Sequence, residues 1–171
     1  MNEDYVILNK YLARLGVPPR IKTKNDRIRV QKAIYLAQAA GANLGYDYNW
    51  YVHGPYSPDL ANDYYGLSEA IFMNKIPPVP DKDDTGDDPA TKLRDSYVAI
   101  LESLTDIIEK PPTFDLPQED WLELASSLHF LQTKKKMNLE EAREVIQKEK
   151  FHLLEYVDQA QEKLRGMKLL P

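Results

Sequence analysis

With 171 residues, 43% of them hydrophobic and 29% charged, the chain is long enough to bury a core and reads as globular rather than disordered. It has no cysteine, which excludes disulfides, thiolate metal sites and a thiol nucleophile. Its net charge of −5 would disfavour nucleic acid if spread evenly, but it is not. Arg14, Arg20, Lys22, Lys24, Arg27, Arg29 and Lys32 face only Asp26 within one stretch, and Asp81, Asp83, Asp84, Asp87 and Asp88 face only Lys82 in another.

A first helix is predicted from about Glu3 to Leu15, where Tyr5, Leu8, Leu12 and Leu15 form one apolar stripe. The opening segment has no apolar run of signal-peptide type, and no stretch reaches the roughly 18 apolar residues of a membrane span. A cytoplasmic protein is the expectation. Gly16 and the Pro18-Pro19 pair end the first helix. The second is expected from near Asn25 to Ala40, with Val30, Ala33, Ile34 and Ala37 as its stripe and Gly41 closing it.

From Tyr46 the period falls to two. Tyr46, Tyr48, Trp50 and Val52 alternate with Asp47, Asn49, Tyr51 and His53, which predicts a half-buried strand stopping at Gly54-Pro55. Ser57 then stands as an N-cap with Pro58 in the first turn, so a third helix should run to about Tyr65 and resume toward Met73. Residues 76–90 combine prolines with acids and read as a solvated loop. A helix is expected from about Thr91 to Glu109, and another from near Pro117 carrying Trp121, Leu124 and Leu128. A third in this half is capped by Asn138 with Glu141, and the last spans about His152 to Leu164.

Chemistry is sparse. His53 lies beside Tyr51 and Tyr56 where strand gives way to helix, but Ser57 matches no nucleophile spacing, so His53 is read as locking the turn locally. His129 and His152 fall among apolar positions and read as partly buried packing residues. No His or carboxylate set has zinc or EF-hand spacing, and no glycine-rich phosphate loop occurs. The expectation is no catalytic residue, no metal and no cofactor. The basic second helix could meet phosphates, an acidic protein or the chain's own acidic loop. Tyr46, Tyr48, Trp50, Tyr51, Tyr56, Tyr64 and Tyr65 supply residue types enriched at binding hot spots.

Two segments carry a resemblance. Arg27-Ile-Arg-Val-Gln31-Lys32-Ala-Ile-Tyr35-Leu-Ala-Gln38, followed by Tyr51-Val-His-Gly54-Pro55-Tyr56-Ser57-Pro58, resembles the YwgA-like proteins and the related Panacea antitoxin domain. The stretch from Leu122 to Leu131 and the residues Lys148 to Phe151 are similar to the YwgA-like tail. His53 departs from the pattern, which usually has a tyrosine there. The resemblance implies a small helical domain with a short β element and a non-enzymatic role in toxin neutralisation or phage defence by direct protein contact.

The combined expectation is a mainly α fold with a small β element, winged-helix-like, with a C-terminal helical extension. Residues 1–75 would form its core, 76–90 an acidic loop and 91–171 a helical part of the same single domain. A protein partner would dock on Arg27, Arg29, Gln31, Lys32, Tyr35, Tyr51, His53, Tyr56 and Ser57. Nucleic acid is the alternative partner, and no membrane is expected.

Overall fold

The structure is a computed structural model describing residues 2–80 and 88–171. It is mainly helical, with one small antiparallel hairpin and a C-terminal helical extension, in a winged-helix-like arrangement. Helix α1 spans Glu3–Leu15, capped by Asn2 Oδ1, which accepts from the Asp4 N–H. It ends at Gly16 in the left-handed region (φ +77°), where an added Cβ would stand 2.4 Å from Glu109 Oε1.

Helix α2, Lys24–Ala39, starts one residue before the expected place. Thr23 and Asp26 form a capping box there, with Asp in the position more often held by Glu or Gln. All eight residues from Val30 to Ala37 are buried, so α2 is a central helix with no solvent face along that length.

The strand is shorter than its alternation suggests, and it has a partner. Strand β1 is Asn49–Tyr51 and β2 is Gly54–Tyr56, so Gly54-Pro55 continues the sheet instead of ending it. Trp50 pairs with Pro55, and Tyr51 with Gly54. Tyr46, Tyr48 and Trp50 do pack inward, but Val52 sits in the turn and is 81% exposed. Helix α3, Pro58–Phe72, runs unbroken through Gly66 because the Tyr5 ring packs directly against that glycine.

The long helix expected from Thr91 is two shorter ones, α4 at Asp95–Ser103 and α5 at Thr105–Glu109. Its start is delayed because the buried Lys10 ammonium takes the Thr91 carbonyl at 2.9 Å, which leaves that residue in a short 3-10 turn. The break at Leu104 is flanked by two hydroxyls bonded back to the chain, Ser103 to the Ile100 carbonyl and Thr105 to that of Glu102. Asp88 caps the 3-10 turn; of the expected loop 76–90, residues 81–87 lie outside the described residues.

Helix α6, Gln118–Thr133, is buried from Trp121 to Leu131 and is the chief neighbour of α2. Helix α7, Leu139–Glu149, has the expected capping box of Asn138 and Glu141. Helix α8, Val157–Gly166, starts later than the His152 foreseen, because Phe151–Tyr156 wind as a 3-10 stretch. One apolar cluster joins Leu8, Ile34, Leu60, Leu101, Leu128 and Leu164 across the fold. No helix among the described residues is long and apolar enough to cross a membrane.

Candidate functional site

The first half of α2, the hairpin and the middle of α3 enclose a groove of about 280 Å³. Lys24, Arg27, Ile28, Gln31 and Lys32 line it from α2. Tyr51, Val52, His53 and Tyr56 line it from the hairpin, and Tyr64 and Tyr65 from α3. Among the described residues the lining holds three basic side chains, a histidine and four tyrosines, but no Asp or Glu. That is unusual company in a chain whose net charge is −5.

The floor is a buried charge network. Lys32, on α2, and Lys150, just after α7, are 1% and 2% exposed, and Glu123 of α6 is 4% exposed. Lys32 Nζ donates to the Pro55 carbonyl at 2.6 Å, and Lys150 Nζ donates to that of Val52 at 2.7 Å. Lys150 also pairs with Glu123 Oε2 at 3.1 Å and lies over the Trp50 ring. The other Glu123 oxygen takes His53 Nδ1 at 3.0 Å. That carboxylate keeps a proton on Nδ1 and fixes the ring. Burial, foremost, pushes the Lys32 ammonium down to about 7, against the opposing pull of Glu123 and with help from Lys150. The hairpin is thus held from beneath by two lysines bonded to its carbonyls and by one carboxylate bonded to its turn histidine.

The walls are aromatic. Tyr51 meets Tyr56 edge-on with centroids 5.2 Å apart, and Tyr64 and Tyr65 lie 5.0 Å apart. Burial pushes the Tyr64 phenol up to about 12, so it remains a neutral hydroxyl. Tyr51 and Tyr65 are about half exposed. At the rim Arg27 donates only to the Ile21 and Lys22 carbonyls, and neither it nor Lys24 has a carboxylate partner among the described residues.

Of the residues expected to meet a partner, Arg27, Tyr51, His53 and Tyr56 come together on the groove. Gln31 and Lys32 also line it, but as buried residues beneath it, and Tyr35, Ser57 and Arg29 lie off it. Gln31 is buried, its side-chain amide exchanging bonds with the Ser57 carbonyl at 2.9 Å and the Ser57 N–H at 3.0 Å. Lys32 is floor, not surface. Ser57 is fully buried and caps α3 through the Leu60 N–H. Tyr35 is buried on the far side of α2, its hydroxyl 2.7 Å from His129 Nδ1 and its ring edge-on to Tyr48. Burial pushes His129 down to about 4, so the ring is neutral at pH 7. Arg29 points away and pairs with Asp26 and Glu119.

Two histidine readings also change. His53 bonds across the fold to Glu123 rather than locally, and His152 is exposed, not packed. Glu123 and Lys150 went unnoticed in the sequence. A lone carboxylate inside the apolar run Trp121-Leu122-Glu123-Leu124 is a readable hint of a buried charge, whereas Lys150 carries no local signal at all.

As chemistry, the groove offers cations, phenols and ring faces. Among the described residues no hydroxyl is bonded to His53, and Ser57 Oγ is committed to its cap. Ser127 Oγ, lying under Gly54, is buried without a partner. No group of three His, Asp or Glu side chains among the described residues is placed to hold a metal. Comparison of the chain with known protein families, with curated proteins and with solved structures finds no match in any of the three.

Proposed function

We propose that the chain is a non-enzymatic interaction module that regulates or neutralises a protein partner by direct contact at the groove between α2, the hairpin and α3. The observation that carries this reading is the groove's lining: four tyrosines and basic side chains, with no acid among the described residues. Tyrosine and arginine give large contact area at low entropic cost and dominate protein-binding hot spots. The antitoxin-like resemblance of the α2 and hairpin segments points the same way, to toxin neutralisation or a defence-system role. A duplex nucleic acid fits less well, because the rim cations form a spot and the remainder of the chain is acidic.

The test is affinity purification of the tagged chain from its native cells, beside a Tyr51→Ser/Tyr65→Ser double variant. Both positions are about half exposed, so the variant should melt within a few degrees of the parent. A stoichiometric protein held by the parent and lost by the variant supports the reading. A partner retained by the variant, or a parent that purifies alone and rescues no toxic neighbour on co-expression, refutes it.

A further inference from the structure

We propose that the groove's occupant is an acidic segment of the protein partner, whose carboxylate docks between Arg27 and Lys24 while a neighbouring apolar or aromatic side chain lies among the tyrosines. This rests on the interaction reading above and adds the partner's chemistry. Charge complementarity carries it. Arg27 spends its bonds on two carbonyls, which leaves its full positive charge uncompensated, and Lys24 on the preceding turn has no ion pair among the described residues.

Two other cations of this stretch are matched: Arg14 pairs with Glu102, and Arg29 with Asp26 and Glu119. Arg27 and Lys24 stand at the groove with no carboxylate partner among the described residues. Beneath it, Glu123 is paired with Lys150 and Lys32 donates to the Pro55 carbonyl, so the floor presents no free carboxylate to repel an acid. About 280 Å³ admits two or three side chains, not a folded element. Tyr51 and Tyr65, half exposed at the lip, supply the faces against which an apolar residue next to the acid would pack.

The experiment pans a library of random dodecapeptides on the full chain and measures the selected peptides by fluorescence anisotropy. Expected is enrichment of Asp or Glu within two positions of Trp, Phe, Tyr or Leu. Arg27→Glu should weaken the best peptide roughly tenfold or more, with the loss shrinking as salt rises. Lys135→Gln, a charge control on an exposed residue away from the groove, should change nothing.

Selected peptides that lack acids yet lose binding on Tyr65→Ser would overturn the acidic occupant and leave the interaction reading standing. Failure of any peptide to enrich, with tight and steeply salt-dependent binding of a 20-base-pair duplex instead, would overturn both.

Discussion

Lys32 makes the pH dependence of stability the sharpest test of the buried floor. Its ammonium ionises near 7 in the folded chain and at 10.5 when exposed. Below about pH 7 both states hold the proton, and the folded state bears the whole cost of burying it. Between about 7 and 10.5 the unfolded chain keeps a proton that the folded chain has released, so stability rises with pH across that window. The slope is ~1.4 kcal/mol per pH unit, or up to ~5 kcal/mol over the full interval. Above pH 10 the trend reverses. The phenols of Tyr11 and Tyr64 ionise only near 12 in the folded chain, and burial holds those of Tyr35, Tyr46 and Tyr48 up as well, so the unfolded state loses protons first.

The expected profile for the parent is therefore a maximum between pH 9 and 10, far on the alkaline side for an acidic protein. Urea unfolding at half-unit steps from pH 6 to 10 measures it. Lys32→Met should flatten the climb between pH 7.5 and 9.5, which Lys32 makes worth about 3 kcal/mol in the parent. A parent curve flat across that interval, or a Lys32→Met curve that still climbs by the same amount, would refute the burial argument.

Glu123→Gln removes the carboxylate that pairs with buried Lys150 and holds His53, and should cost ~3–5 kcal/mol at pH 7 by denaturant unfolding, with the hairpin amides losing hydrogen-exchange protection first. Gly54→Ala sets a Cβ 2.3 Å from Ser127 Oγ at a φ of +88°, and a loss of ~2–3 kcal/mol in the same assay is expected. Gln31→Leu leaves the buried Ser57 N–H without its acceptor and should cost ~1–3 kcal/mol, whereas Tyr51→Ser stays within about 1 kcal/mol. Between about pH 4 and 6.5 the neutral His129 makes stability climb with pH, and Tyr35→Phe should leave that limb's direction unchanged while lowering it by about 1 kcal/mol.

How much of this was legible in the residues follows the range of the interactions. The α1 stripe, the Ser57 cap, the Asn138–Glu141 box and the inward set Tyr46, Tyr48 and Trp50 depend on neighbours within four positions, and each could be read directly. The missed features are long-range. Nothing near Thr91 announces that Lys10 will claim its carbonyl, and nothing near Pro55 announces that Lys32 will. Periodicity also misleads for α2. A helix buried all round from Val30 to Ala37 has no polar face, so Gln31, Lys32 and Tyr35, placed on the outside by an amphipathic reading, each required an internal partner instead. The Ser57 and Pro55 backbone and the His129 ring supplied those partners, and backbone groups leave no mark in the amino-acid letters.

That reassignment alters what the basic stretch means. Read along the chain, seven cations against one acid suggest a positive strip fit for a polyanion. In space Arg14 and Arg29 are neutralised by carboxylates and Lys32 is consumed as a hairpin anchor; of the four that remain, Arg27 and Lys24 stand at the mouth of a tyrosine groove. The two at the mouth give a counterion-release slope of about two at most, small against the repulsion of an acidic surface. The same two suffice to orient a single carboxylate beside aromatic walls, where partial desolvation strengthens each contact. The hairpin is the element on which this depends, because its turn carries Val52 and His53 to the groove edge and is fixed by buried charge from below. Any change that unties Glu123 should therefore reach the groove through the hairpin, and partner affinity should fall together with hairpin protection.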